Sequence, residues 1–271
     1  MSSTTPTPTL TILTPSFNQG RYIEQTIRSV SSQDYRPVEH IVIDGGSTDG
    51  TVDLLRQFPH LQWISEADRG QADALNKGLA RAAGDIIGWI NSDDYYEQNI
   101  FASVMRCFED PAVMWVIGNL TYVDDETSEM APDKSRAVTF ERLARNPDIV
   151  RQTPAFFRKA FIERAGGWNP DYFMAMDFDL WVRLAKLSAP RMVNSNWAFF
   201  RLHAHQKTSH ANVIRQKKEI VTILRRERAK WSCIAALSLR KRWYWAKGLL
   251  KERLIDAGLL GKTFPTKTRT T

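Results

Sequence analysis

The sequence predicts an α/β fold with a mostly parallel central sheet flanked by helices. Four short apolar segments, each followed by a polar or glycine-rich turn, alternate with segments whose apolar residues recur at helical spacing. This alternation is typical of parallel strands joined by right-handed helical crossovers. The loops that follow the strands should therefore meet at one edge of the sheet, where open α/β sheets bind their ligands.

The elements of this sheet can be assigned in chain order. The predicted strands cover residues 10–14, 40–43, 61–64 and 86–90, and then 114–118, 152–158 and 197–202. The predicted helices cover residues 22–33, a segment after Asp49 or Thr51, residues 71 to about 83, and a segment that begins at Asp177. We expect a folded domain over residues 10–210, a basic amphipathic helical extension over 211–260, and disordered ends at 1–9 and 261–271.

The composition is that of a globular protein, with 43% hydrophobic and 25% charged residues among 271. Cys107 and Cys233 lie far apart in sequence, so neither a disulfide framework nor a cysteine metal site is expected. The start of the chain is rich in Ser, Thr and Pro and lacks the apolar core of an export signal. No apolar run approaches the length of about 18 residues that a transmembrane helix needs. These features predict a cytoplasmic protein.

Positive charge is concentrated near the carboxyl terminus. Residues 1–212 carry a net charge of −5, whereas residues 213–253 carry +10. Basic amphipathic helices that contain tryptophan bind anionic membrane surfaces, so the inner face of the plasma membrane is a candidate partner of residues 213–253. The alternative is that these helices pack on the body or on a second subunit. No nucleic-acid-binding motif accompanies the charge, so nucleic acid is not an expected partner.

Two adjacent acids, Asp93 and Asp94, follow the apolar segment 86–90. Neighbouring carboxylates repel one another, and a divalent cation with oxygen ligands would stabilise them. The alternative is that Asp93 caps the next helix and Asp94 is a solvated loop acid.

Three further residues allow both a structural and a functional interpretation. Asp44, after the second strand, could accept hydrogen bonds from a nucleobase or ribose, or could cap a helix. Asp177 falls at a helix start, where an acid is a common cap. His203 follows the last strand and opens a polar loop, where a histidine can be structural or can contact a metal or phosphate.

Several sequence blocks together resemble the family 2 glycosyltransferases, which have a GT-A fold and transfer sugars from nucleotide donors with inversion. The blocks are residues 14–18, 43–51, 68–78, 84–94, 177–181 and 201–203. Any one block is weakly specific, but their order and spacing across residues 10 to about 208 are strongly specific.

The resemblance implies a role for each matching residue. Asp177 would be the general base, and Asp94 with His203 would bind Mn²⁺ or Mg²⁺, Asp94 as the direct ligand. The nucleotide-sugar would contact Thr14, Pro15, Phe17, Asn18, Asp44, Glu66, Arg69, Gly70, Asp73, Asn76 and Asp93. Two positions depart from the family pattern. Met176 replaces the glutamate that often precedes the base, and Asn91-Ser92-Asp93-Asp94 replaces the motif Asp-x-Asp.

The resemblance therefore implies a metal-assisted enzyme that moves a sugar, most often from a UDP-sugar, to a hydroxyl of a glycan or lipid-linked saccharide. Two alternatives remain at this stage. A sugar nucleotidyltransferase would usually show a glycine-rich, basic phosphate loop after strand one, where this chain has residues 15–20 without Lys or Arg. A non-catalytic nucleotide-sugar-binding protein would not need this combination of acids and histidine.

Overall fold

A central sheet of nine strands organises the computed structural model, which describes residues 9–204, 206–207, 210–230 and 232. Along the sheet the strands lie in the order β3-β2-β1-β4-β8-β6-β9-β5, and β7 pairs with the outer part of β6. The strands are β1 Leu10–Ser16, β2 Val38–Asp44, β3 Gln62–Ser65, β4 Ile86–Trp89, β5 Tyr95–Tyr96, β6 Trp115–Asp124, β7 Met130–Asp133, β8 Ala155–Arg158 and β9 Arg191–Leu202.

The first half of the sheet is parallel, as the sequence predicts. Strands β1 to β4 pair with one another only in parallel, with Leu10 opposite Val38 on one side and Ile86 on the other. β1 and β4 are buried along their whole lengths, which is usual for parallel strands covered on both faces.

The second half of the sheet is mixed, which differs from the expectation of a mostly parallel sheet. β8 runs antiparallel to both β4 and β6, and β5 runs antiparallel to β9. β6 and β9 are parallel, with a register irregularity around Asn119. The short strands β5 and β7 lacked a periodic apolar pattern and were not predicted.

Helices cover both faces of the sheet. They are α1 Ile23–Ser31, α2 Thr51–Leu55, α3 Gln71–Arg81, α4 Phe101–Cys107, α5 Phe140–Arg145, α6 Lys159–Arg164, α7 Met176–Leu187 and α8 His210–Arg226, with a 3₁₀ turn at Pro147–Ile149. One core cluster joins α3, α7 and α8 to one face, and a second joins α4 to residues of β1, β4, β6, β8 and β9 on the opposite face. The crossovers between the parallel strands are α1, α2 and α3, all predicted.

The basic segment begins as a helix that packs on the body. Ile220, Ile223 and Leu224 of α8 are buried in the same core cluster as α7. For residues 210–230 the structure therefore favours the alternative in which the tail packs on the domain. The disorder predicted for 1–9 and 261–271 lies outside the described residues except at Thr9, and so does the rest of the predicted extension except at residue 232. No helix in the part of the chain described here has the length and apolar character needed to span a membrane.

Candidate active site

A cavity of about 770 Å³ opens where β1, β2 and β4 end. Five of the predicted site residues line it, although 162 positions separate the first from the last in sequence. They are Pro15, Phe17, Gly70, Asp93 and Asp177. The chain thus brings the turn after β1, the start of α3, the acids after β4 and the start of α7 to one place, as expected for the edge of a sheet where parallel strands end.

The mouth of the cavity presents an aromatic ring. Phe17 is 60% exposed, and it lies beside Gly45 in the turn after β2. A Cβ atom at Gly45 would lie 2.9 Å from Oδ2 of Asp68 and 3.3 Å from the Phe17 ring. Glycine at this position therefore allows the two loops to approach closely and leaves the Phe17 ring accessible.

Three residues that were predicted to contact the nucleotide instead form hydrogen bonds that hold β1, β2 and the loops after them together. Asp44 is fully buried, and its carboxylate accepts hydrogen bonds from the Ser47 amide at 2.9 Å and the Ser65 hydroxyl at 2.6 Å. Asn18 accepts from the backbone of the 43–51 segment, and the Thr14 hydroxyl bonds to Nε2 of a buried histidine, His40, at 2.9 Å. Burial lowers the pKa of His40 to about 3, so this ring is neutral. None of the three predicted residues lines the cavity in this structure.

Four other predicted contacts also point away from the cavity. Glu66 forms an ion pair with Lys77 at 2.8 Å, and Arg69 forms one with Asp73 at 2.9 Å on the exposed side of α3. Asn76 bonds to both backbone groups of Trp168 and so attaches α3 to the turn before α7. In this part of the chain, Gly70 lines the cavity, whereas Arg69 does not. Direct donor contacts by these side chains stay predictions.

The two adjacent acids have different surroundings. Asp94 is only 1% exposed, and its carboxylate accepts from the Thr153 hydroxyl at 2.9 Å and the Arg201 amide at 3.1 Å. Burial and then the Asp93 charge raise the pKa of Asp94 well above its usual range. Asp93, in contrast, lines the cavity. Asp93 is therefore the acid that borders the cavity, whereas Asp94, the expected direct ligand, is held by buried partners; its ligand role stays a prediction. Neither acid caps a helix, since the next helix starts at Phe101.

His203 lies against Asp93, the acid that lines the cavity. Its Nε2 is 3.1 Å from Oδ2 of Asp93, and its ring packs on that of Tyr22 with centroids 4.5 Å apart. Its Nδ1 is buried and has no hydrogen-bond partner among the described residues. The resemblance implied that His203 binds a metal together with Asp94; in the structure His203 contacts Asp93 instead, and its metal role stays a prediction.

Asp93 at the cavity wall, with the imidazole of His203 against its carboxylate, suits a divalent cation that takes its other ligands from a substrate. Among the residues described, no group of three or more His, Cys, Asp or Glu side chains is placed to hold a metal. Mg²⁺ commonly binds through one or two carboxylates together with substrate phosphates and water. Asp93 and His203 fit that arrangement and not a closed protein cage.

Asp177 is in the first turn of α7 and faces the cavity. Its Oδ1 accepts from the amide of the next residue, Phe178, at 2.7 Å, and this bond holds the carboxylate within the first turn of α7 while it lines the cavity. Burial raises the pKa of Asp177, although the Phe178 hydrogen bond and the Lys207 charge oppose that rise. A partly desolvated carboxylate with a raised pKa is suited to accept a proton.

Sequence reasoning missed several residues that line the same cavity. Gln71 and Asn91 lay inside the recognised blocks, and their amides are linked by a 2.6 Å hydrogen bond. Asn91 also donates to Gln152 at 3.0 Å, and Lys207 donates to Gln71 at 3.3 Å. Burial lowers the pKa of Lys207, and Asp177 counteracts that effect. For Gln152 and Lys207, the only sequence signal of a place in the site was their position in or next to a predicted strand or motif.

Comparison with known proteins agrees with this geometry. Residues 11–180 match the model of glycosyl transferase family 2. An uncharacterized glycosyltransferase of Mycobacterium tuberculosis is 30% identical over 194 residues, which cover 69% of this chain and 72% of that protein. The family confirms the prediction that the protein is a glycosyltransferase.

Two solved structures share the fold. TarS of S. aureus in complex with UDP superposes with a TM-score of 0.62 at 16% identity, over 80% of this chain and 65% of that one. The mannosyltransferase PcManGT of Pyrobaculum calidifontis, in complex with GDP-Man and Mn²⁺, gives a TM-score of 0.62 at 23% identity, over 96% and 77%. These likenesses confirm the predicted GT-A architecture. The match over residues 11–180 and the 30% identical relative show that the chain belongs to glycosyl transferase family 2.

Proposed function

We propose that the protein is a metal-assisted, inverting glycosyltransferase that moves a sugar from a nucleoside diphosphate donor to an acceptor hydroxyl. The observation that supports it most strongly is that Asp93 and Asp177 line one cavity. One acid lies beside His203, and the other is a desolvated carboxylate at a helix start. A glycosyl transfer needs these two functions, stabilisation of a leaving diphosphate and removal of a proton.

The donor would enter at the end of the cavity formed by Phe17, Gly45 and Asp68. The exposed Phe17 ring can stack on a planar base, an interaction worth about 1–3 kcal/mol per base in single-stranded nucleic-acid complexes. TarS binds UDP and PcManGT binds GDP-Man, so both nucleotides are candidates, with UDP-sugars the first to test.

In the reaction, the acceptor oxygen attacks the anomeric carbon as the bond from that carbon to the diphosphate oxygen breaks. Asp177 takes the hydroxyl proton, a role that typically contributes about 10²- to 10⁴-fold in rate. Attack opposite the leaving diphosphate inverts the anomeric centre. The Phe178 amide and α7 hold the Asp177 carboxylate in place during this transfer.

The divalent cation, Mn²⁺ or Mg²⁺, would be held by Asp93 and His203. When bound, it acts as a Lewis acid that stabilises the charge on the departing diphosphate. Asp94 would support the site indirectly, because its buried carboxylate fixes the backbone of Arg201, two residues before His203.

The experiment that tests this function is release of nucleoside diphosphate from a panel of UDP-, GDP- and dTDP-sugars without acceptor. We expect slow hydrolysis of one donor with Mn²⁺ or Mg²⁺ and none with EDTA, with the anomeric configuration of the released sugar followed by NMR. Binding of UDP and GDP is measured in parallel by calorimetry. The proposal is wrong if no donor is hydrolysed and neither nucleotide binds in the presence of metal.

We also propose that the acceptor is a glycan or lipid-linked saccharide presented at the cytoplasmic face of an anionic membrane. Support comes from the outer face of α8, where Ile214, Arg215, Lys218 and Arg225 are exposed. Each basic residue near such a surface contributes about 1 kcal/mol to membrane binding.

We expect the protein to float with phosphatidylglycerol vesicles at low salt and not with phosphatidylcholine vesicles. Equal recovery with both vesicle types would contradict the membrane proposal, and K218E/R225E serves as the matched variant.

A further inference from the structure

Glu219 of α8 binds the backbone just before the helix that carries Asp177. Its carboxylate accepts from the amides of Phe173, Met174 and Ala175 at 3.2, 2.7 and 2.9 Å. The side chain is largely buried, and Arg215 pairs with it at 2.9 Å. Three backbone donors on one carboxylate, supplied from 44 to 46 residues away, make this contact more than a surface ion pair.

The contact fixes the backbone that leads into α7. Ala175 is the residue before the first turn of α7, and it has no side chain that can accept a hydrogen bond. The first amides of a helix have no partner within the helix, and negative charge near that end is favourable. Glu219, from a neighbouring helix, accepts from the three amides that immediately precede α7 and so places its carboxylate near that end.

The bound segment borders the catalytic cavity. Phe173 and Met174 line the cavity together with Asp177, which is two residues beyond the last amide that Glu219 holds. Gln216 and Ile220, on the same helix as Glu219, line it too. Movement of residues 173–175 would therefore shift both the wall of the cavity and the carboxylate of Asp177.

We propose that Glu219 is a positioning residue for glycosyl transfer, which fixes the start of α7 so that Asp177 points at the acceptor hydroxyl. This inference rests on the proposed role of Asp177 as the general base. This role would make α8, the first part of the basic segment, a component of the active site as well as a candidate membrane-binding helix.

The test compares two Glu219 variants with a control on the same pair of helices. Glu219→Gln removes the charge, and Glu219→Asp keeps the charge but shortens the side chain by one methylene. The control is Lys186→Gln, which breaks the 2.6 Å ion pair between Lys186 and Glu227 and so loosens α7 and α8 far from residues 173–175. For each protein, kcat, the KM for the donor, the Kd for the nucleoside diphosphate and the Tm are measured on the full chain.

We expect both Glu219 variants to lose about 10- to 100-fold in kcat, the size of effect that misplacement of a reacting group by about 1 Å produces. Their donor KM and nucleotide Kd should stay within about twofold, and Lys186→Gln should keep its kcat at a similar loss of Tm. The inference is overturned if a folded Glu219 variant keeps its kcat. It is also overturned if kcat and nucleotide binding fall together in the Glu219 variants and in Lys186→Gln.

Asp177→Asn in the same assay separates the two proposals. If Asp177→Asn transfers sugar at the wild-type rate, the base assignment fails and the role of Glu219 fails with it. If Asp177→Asn is inactive while the Glu219 variants are normal, only the positioning role fails.

Discussion

At the scale of single residues, the two acids after β4 show how one peptide bond can separate two roles. Asp93 faces the cavity and His203, whereas Asp94 is enclosed by Thr153 and the Arg201 backbone. A buried carboxylate with two partners stabilises the fold, while a carboxylate at a cavity wall is free to bind a ligand. In the proposed function, Asp94 therefore supports the site and Asp93 provides the ligand.

This division predicts different defects in two matched variants. Asp93→Asn should raise the Mn²⁺ concentration for half-maximal activity by on the order of tenfold or more, with little loss of stability. Asp94→Asn should lower the free energy of unfolding by about 1–3 kcal/mol, because an amide nitrogen would face the donors Thr153 or Arg201. Metal titration of activity and urea unfolding measure the two effects. The reverse pattern would show that Asp94 is the ligand, as the sequence suggested.

Asp177 gives a second prediction at this scale. Asp177→Asn should reduce transfer at least about 100-fold and leave nucleotide binding nearly intact, since the amide cannot accept the proton. The base must be ionised, and burial raises its pKa. The rate of the wild-type enzyme should therefore fall with decreasing pH at values above about 4, the ordinary range of an aspartate. A pH–rate profile that stays flat down to pH 4 would be inconsistent with Asp177 as the base.

At the scale of elements, α7 is held from two sides. Trp181 packs its ring against Phe157 of β8 and Trp115 of β6, with centroids 5.5 and 5.9 Å away. On its other side Asp179 is fully buried and forms an ion pair with Arg226 of α8. The helix that carries the proposed base is thus fixed between the sheet and the start of the basic segment.

The packing of α8 on the body predicts that substitutions at the neighbouring positions Leu224 and Arg225 differ strongly in their effect on the free energy of unfolding. Leu224→Ala should lower the free energy of unfolding by about 2–5 kcal/mol, because the side chain is fully buried in the core. Arg225→Ala, at an exposed position, should change it by no more than about 0.5 kcal/mol. Urea unfolding of both variants measures the difference. Equal, small effects would mean that α8 does not pack on the body in solution.

At the scale of the whole molecule, the parallel half of the sheet and the mixed half contribute different parts of the cavity. Loops after β1, β2 and β4 provide its proposed donor end, including Phe17 and Asp93. The mixed half adds Gln152 before β8, Phe200 of β9 and Lys207 beyond it. The site is complete only because antiparallel β8 is placed directly beside β4.

The sequence by itself determined the parallel strands, their crossover helices and the family, because apolar periodicity and short motifs are local properties. It also identified Pro15, Phe17, Gly70, Asp93 and Asp177 as residues that share one cavity. Only the tertiary structure decided that Asp44 and Asn76 hold loops together, that Asp94 is enclosed, and that Glu219 reaches the start of α7. Those outcomes depend on which distant segments become neighbours. The packing between elements determines these neighbours, and the sequence pattern within one element does not.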